Sequence, residues 1–132
     1  PGLAPSGTLS MTSHGEGTLL IVDDDRIFAQ TLVLEFEDRG YCVEWLDGLQ
    51  AVENKSALNY AYAVIDLQLG QDSGIDVIRI VKARSPSTVI VVLTGYTSSE
   101  TDVRALELGA RACLTKPIDI DRLESALLGG EM

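Results

Sequence analysis

Three aspartates, Asp23-Asp24-Asp25, follow the apolar run Leu19-Leu20-Ile21-Val22, and a fourth, Asp66, follows Tyr62-Ala63-Val64-Ile65. A third apolar run, Val89 to Leu93, leads into Thr94-Gly95, and Ala112-Cys113-Leu114 is followed shortly by Lys116-Pro117. Each has an ordinary structural reading. Asp25 suits the N-cap of a helix starting near Arg26, Asp66 a solvated strand end, Thr94 a turn hydroxyl and Lys116-Pro117 a turn carrying a surface cation. Asp23 and Asp24 have no such capping task. If the apolar runs are parallel strands, all four sites fall at one edge of one sheet, and coincidence explains that poorly.

Such an arrangement has definite chemistry. Carboxylates ~4 Å apart repel by about 4 kcal/mol per pair at an effective dielectric near 20, so an empty pocket is strained or partly protonated. A divalent cation relieves the repulsion. Mg²⁺, with Mn²⁺ as the alternative, prefers oxygen ligands from one or two carboxylates, waters and a phosphate oxygen, and Asp23 and Asp24 would hold it beside Asp66. The Asp66 carboxylate would then attack an electrophilic phosphorus, with Lys116 and Thr94 stabilising the phosphoryl oxygens and an acyl phosphate as product.

The elements that must position these residues follow from periodicity. Strands are expected at 19–22, 41–45, 62–65, 89–93 and 112–114, the first, third and fourth nearly continuous in apolar residues, as strands buried on both faces are. Helices are expected at about 26–39, 48–57, 74–84, 98–108 and 119–128, with apolar spacing such as Ile27, Thr31, Leu34 and Ile75, Ile78, Val81. Gly40, Gly109 and Ser85-Pro86 punctuate their ends. The alternation is that of a single α/β domain, a doubly wound parallel sheet with helices on both faces, whose chemistry gathers beyond the carboxyl ends of the strands.

Length and charge bound the alternatives. At 132 residues the chain is one domain, with no apolar run near the ~20 residues needed to span a bilayer. A formal net charge of −10 argues against direct binding of DNA or RNA by this segment. The two cysteines, Cys42 and Cys113, form no CxxC pair and lack a histidine cluster, which fits a reduced cytoplasmic setting. Residues 1–17, rich in Gly, Ser, Thr and Pro, read as a disordered leader or cloning remnant, 18–128 as the domain, and 129–132 as a tail that could open a linker to an absent effector domain.

In order along the chain, an acidic pair after strand one, Asp after strand three, Thr after strand four and Lys-Pro after strand five resemble the receiver domain of two-component response regulators (the CheY-like superfamily) from about Thr18 to Leu128. The resemblance implies a flavodoxin-like sheet of order 2-1-3-4-5. It implies Asp66 as phosphoacceptor from a phosphohistidine on a sensor kinase or phosphotransfer protein, and Asp23, Asp24, Asp66 and the backbone carbonyl of Gln68 as metal ligands. It further implies Thr94 as switch hydroxyl, a cis Lys116-Pro117 bond, and an output surface on the fourth helix, fifth strand and fifth helix that serves an effector domain or a homodimer partner. The protein would be a phosphorylation switch with only slow self-catalysed phosphorylation and dephosphorylation, not a turnover enzyme, and it would need no organic cofactor.

Two departures stand out. Gly70 replaces the proline usual after the phosphoacceptor, which predicts a looser loop. Cys113 replaces the Tyr or Phe usual three residues before the lysine, which weakens the aromatic switch unless Tyr96 supplies a ring. The stretch Leu93-Thr94-Gly95-Tyr96 is similar to regulators of the photosynthesis and redox-response group. The rival readings are weaker: a haloacid-dehalogenase-type phosphatase lacks room and a later acidic motif, a flavodoxin-like flavin module would need phosphate-cradling backbone where three aspartates stand, and a pseudo-receiver would not need the complete set of acids, Thr94 and Lys116.

Overall fold

The computed structural model describes residues 17–95 and 98–129. Among them a parallel sheet is formed by β1 (Thr18–Val22), β2 (Cys42–Leu46), β3 (Tyr62–Ile65), β6 (Val89–Thr94) and β7 (Ala112–Thr115). The spatial order is β2-β1-β3-β6-β7, the expected 2-1-3-4-5 once the short strands β4 (Gln68–Leu69) and β5 (Asp72–Ser73) are counted in the chain. The helices are α1 (Arg26–Asp38), α2 (Leu49–Glu53), α3 (Gly74–Arg84), α4 (Ser99–Glu107) and α5 (Ile120–Leu128).

Alternation along the strands divides the core into two layers. Leu20, Val22, Ala63, Ile65, Ile90 and Val92 face one way, onto Val77, Ile78 and Val81 of α3. Leu19, Ile21, Val64, Val91 and Leu93 face the other, onto Ala29, Leu32 and Phe36 of α1 and Leu123, Ala126 and Leu127 of α5. Each such Leu, Ile or Val removed from water contributes ~1.5–3 kcal/mol, so β1 and β3, buried on both faces, anchor the domain.

Helix starts follow local chemistry. The side chains of Asp25, Ser73, Ser98 and Asp119 accept hydrogen bonds from Phe28, Ile75, Thr101 and Asp121 N–H groups, the caps that stop four helices from fraying. Asp25 therefore takes its expected capping role. At the far end of α5, Gly129 adopts a left-handed φ of 83° while Arg111 Nη1 donates to the Leu127 carbonyl at 2.7 Å.

Two expectations need correction. Helix α1 does not bury Ile27, Thr31 and Leu34; Ile27 and Leu34 are 79% and 68% exposed, and the buried stripe is Ala29, Leu32 and Phe36. Apolar residues occur on several sides of this helix, so spacing alone leaves its rotation about its axis open. Helix α2 stops at Glu53 instead of near residue 57. Past it Lys55 turns to Glu44, 2.9 Å away, Arg84 Nη1 takes the Lys55 carbonyl at 3.0 Å, and Leu58 enters the core. Gly70, expected to loosen its loop, forms the turn of the β4–β5 hairpin at φ 63°, a backbone region that L side chains rarely adopt.

One close approach sets the geometry of the later site. A Cβ on Gly74, the first residue of α3, would collide with the carbonyl oxygen of Asp66 and stand 2.8 Å from the Leu67 Cα. Only glycine lets α3 start this close to the strand end. Gly74→Ala is expected to destabilise the domain by about 1–3 kcal/mol, read as a lower urea midpoint, since backbone must move. An unchanged midpoint would show that the approach is not tight.

The cysteines lie on opposite edge strands, β2 and β7, and both are free thiols. Cys42 is exposed, whereas burial and the nearby Asp102 carboxylate push the half-buried Cys113 thiol up to about 11. At pH 8 its reactive thiolate fraction is then about a hundredfold below that of a solvent-exposed thiol of pKa 9. Timed alkylation followed by peptide mass analysis should modify Cys42 first, and non-reducing conditions should reveal no internal disulfide.

Candidate functional site

The sheet brings Asp23, Asp66, Thr94 and Lys116 to its carboxyl edge because β1, β3, β6 and β7 run parallel and end there. Asp23 and Asp66 are 3% and 6% exposed. Asp66 N–H donates to the Val22 carbonyl at 2.9 Å, which extends the β1–β3 ladder by one residue and fixes the two acids on adjacent strand ends.

Lys116 reaches between them. Its Nζ lies 3.0 Å from Asp23 Oδ2 and 3.1 Å from Asp66 Oδ2. The ammonium also sits 4.3 Å from the centroid of the Phe28 ring, a cation–aromatic contact that shields one side from water. The remaining carboxylate oxygens are held by backbone: Asp23 Oδ1 accepts from Asp25 N–H at 2.8 Å, and Asp66 Oδ1 accepts from Gln68 N–H at 2.9 Å. Position 116 itself is set by its N–H to the Thr94 carbonyl at 2.8 Å, and the Lys116–Pro117 bond is cis, as the resemblance implied.

The electrostatics match the crowding. Burial raises the Asp23 pKa above the usual carboxylate value, and the Asp66 charge adds to this, against the opposing pull of the Asp25 N–H and Lys116. For Lys116, burial works to lower the pKa, but hydrogen bonds and charge from Asp23 and Asp66 outweigh it and the value is raised. The ammonium thus takes up part of the repulsion that the sequence assigned wholly to a metal ion. Carboxylate oxygens of Asp23, Asp24 and Asp66 all lie within 4.8 Å of one another, with Asp24 exposed, so one small cation could touch all three. This all-oxygen set fits Mg²⁺ or another hard divalent ion.

Thr94 is fully buried, and its Oγ1 makes no hydrogen bond among the described residues. A buried hydroxyl without a partner costs about 1–3 kcal/mol, so it is a donor awaiting an acceptor. Cys113 stands on the same sheet face, opposite Val92 and two residues below the Thr94↔Thr115 pair, with Sγ 3.8 Å from the Asp102 carbonyl. Tyr96, expected to lend a ring here, lies outside the described residues. Sequence reasoning missed Gln68 as an N–H donor to Asp66, Gly74 as the close contact and Phe28 as the cover over Lys116. Only the glycine leaves a sequence signal, as the residue opening a helix.

Known proteins agree with this geometry. Residues 19–128 match the response regulator receiver domain family. The chain is 41% identical over 112 residues to the acid tolerance regulatory protein ActR of Sinorhizobium medicae, covering 84% of this chain and 58% of that protein. It is 40% identical over 114 residues to the photosynthetic apparatus regulatory protein RegA of Cereibacter sphaeroides, covering 84% and 61%. The chain therefore spans about three-fifths of the length of these relatives. A response regulator from Burkholderia pseudomallei, crystallised with a phosphorylated aspartic acid, calcium ion and citrate, superposes with a TM-score of 0.79 at 35% identity, covering 83% of this chain and 65% of that one. The similarity to RegA accords with the photosynthesis and redox-response likeness of residues 93–96. With the acids, the threonine and the lysine delivered by the strand ends on which the family carries them, the chain belongs to the receiver domains of two-component response regulators.

Proposed function

We propose that Asp66 is the phosphoacceptor and that its acylation, supported by Mg²⁺ held at Asp23, Asp24, Asp66 and the Gln68 carbonyl, switches the α4–β7–α5 surface. The observation that carries this reading is the placement of Asp66: a nearly buried carboxylate with one oxygen tied to the Gln68 N–H and the other to a lysine. When bound, the metal supplies charge neutralisation of the carboxylates and of the incoming phosphoryl oxygens.

The chain's own groups do the rest. Gln68 N–H orients the Asp66 carboxylate, and an Asp66 oxygen attacks the phosphorus of a phosphohistidine on a sensor kinase or phosphotransfer protein. The P–N bond breaks, its electron pair returns to the imidazole, and an acyl phosphate remains on Asp66. Lys116 Nζ, already 3.1 Å from Asp66 Oδ2, follows the new oxygens, and Thr94 supplies the buried hydroxyl that finds its acceptor there. In this reading the domain acts as a switch with at most slow self-catalysed gain and loss of the phosphoryl group.

Moving Thr94 inward leaves room behind it next to Cys113. A thiol fills that space less than the usual ring, so the packing difference between the two states is smaller. Complete switching from 1:99 to 99:1 needs about 5.5 kcal/mol, more than the roughly 1 kcal/mol of one hydroxyl hydrogen bond. A partial population shift, or a contribution from Tyr96, follows. The output would reach an effector domain or a second copy, in the cytoplasm; no helix among the described residues is long and apolar enough to cross a membrane.

Acetyl phosphate with Mg²⁺ should add one phosphoryl mass to the parent protein and none to Asp66→Asn. Equal labelling of the variant would overturn the assignment. Beryllofluoride with Mg²⁺ should move NMR signals of residues 96–108 and 111–125 as well as those near Asp23, Asp66 and Lys116. Changes confined to the three loops would mean a phosphoryl sink instead of a switch.

A further inference from the structure

Strand β2 lies at the sheet edge and pairs with β1 from Thr18↔Cys42 to Val22↔Leu46. One further bond continues the ladder, from Asp23 N–H to the Leu46 carbonyl at 3.2 Å. In a parallel ladder the next rung would bring the N–H of residue 48 to the Asp23 carbonyl. At that point the chain has turned away, for Gly48 is already the N-cap of α2. The indole of Trp45 stands in for the lost rung: its Nε1–H donates to the Asp23 carbonyl at 2.7 Å. Arg26, the first residue of α1, lies over the same ring, with its guanidinium carbon 5.8 Å from the centroid.

Every polar group of Asp23 is therefore engaged. The N–H goes to Leu46, the carbonyl to Trp45, Oδ1 to Asp25 N–H and Oδ2 to Lys116. Two of these four partners are side chains, Lys116 on the carboxylate and Trp45 on the backbone, and Trp45 acts on the peptide that joins Asp23 to Asp24. We propose that Trp45 is a positioning residue for the divalent-cation site: its indole N–H fixes the Asp23–Asp24 peptide plane and so aims both carboxylates at the point they share with Asp66. This rests on the reading that these three aspartates hold a divalent cation.

The requirement is for a donor at the end of a ring long enough to reach past Leu46. Phenylalanine keeps the apolar body but leaves a buried carbonyl without a partner, and the peptide would turn to find water. Groups that orient metal ligands from outside the coordination sphere commonly change metal affinity by 10–100-fold when lost.

Trp45 is the only tryptophan of the chain, so intrinsic fluorescence and the single indole N–H cross-peak both report on it. Titration of the parent protein with Mg²⁺ should shift that cross-peak saturably and change the fluorescence with the same midpoint. By calorimetry, Trp45→Phe should bind Mg²⁺ about tenfold more weakly while its far-UV circular dichroism stays that of the parent. Asp24→Ala serves as the control for the cation site. Trp45→Phe binding within twofold of the parent, alongside a weakened Asp24→Ala, overturns the inference alone. Unchanged affinity in Asp24→Ala overturns the cation site and the inference with it. Should Trp45→Phe not fold, an indole cross-peak that stays in place at saturating Mg²⁺ overturns the proposal, and one that moves with the titration supports it.

Discussion

The Lys116 ammonium, held about equally far from Asp23 and Asp66, is the contact on which the rest of the site depends. Two carboxylates at the ends of neighbouring buried strands would repel each other and lose hydration together. Burial alone already drives the Asp23 pKa upward. A single mobile cation on a flexible stem meets both demands, and unlike a fixed hydrogen bond it can transfer its contact to new oxygens when one carboxylate becomes an acyl phosphate. On the proposed reading, the same side chain serves the site before acylation and its product afterwards.

That arrangement limits the architecture around it. Asp23 and Asp66 can be neighbours only because β1 and β3 are adjacent and parallel, and Lys116 can reach both only from a strand on the far side of β6. The cis peptide at Lys116–Pro117 and the N–H bond to Thr94 set where its stem leaves the backbone. Glycine at position 74 allows α3 to begin directly against the Asp66 carbonyl, so the proposed phosphoacceptor is backed by a packed helix and not by solvent. The hairpin closed by Gly70 covers the same region and presents the Gln68 N–H to Asp66.

The opposite side of the molecule is tied down separately. Glu124 of α5 accepts from Tyr41 Oη at 2.8 Å and pairs with Arg39 at 2.7 Å, joining the end of α1 and the start of β2 to the last helix. Tyr41 in turn packs edge-on against Phe36 and Tyr62. This network lies away from the carboxyl edge, so rearrangement around Thr94 and Cys113 acts against a helix whose inner face is anchored. Next to Thr94, by contrast, stand a buried hydroxyl without a partner among the described residues and the small thiol of Cys113.

The residue types at the strand ends, the alternation of apolar runs with helical periods, and the punctuation by Gly, Pro and capping Asp or Ser are local properties. They determined the number of sheet strands and the doubly wound parallel sheet, and they brought out Asp25 as a cap and Asp66 as the acid that ends the middle strand, while the strand order followed from the resemblance to receiver domains. What they left open depends on distance between residues far apart in the chain. The rotation of α1, with Ala29, Leu32 and Phe36 inward and Ile27 and Leu34 outward, was settled by what the sheet and α5 present to it. The early stop of α2 goes with contacts from elsewhere in the chain, Glu44 to Lys55, Arg84 to the Lys55 carbonyl and Leu58 into the core. Likewise the sharing of Lys116 between two acids, and the indole of Trp45 completing a ladder that β2 abandons one rung short, exist only once strands separated by tens of residues lie side by side. Periodicity records which residues are apolar and how they alternate, whereas tertiary packing alone chooses which apolar face is buried and which polar groups then need one another.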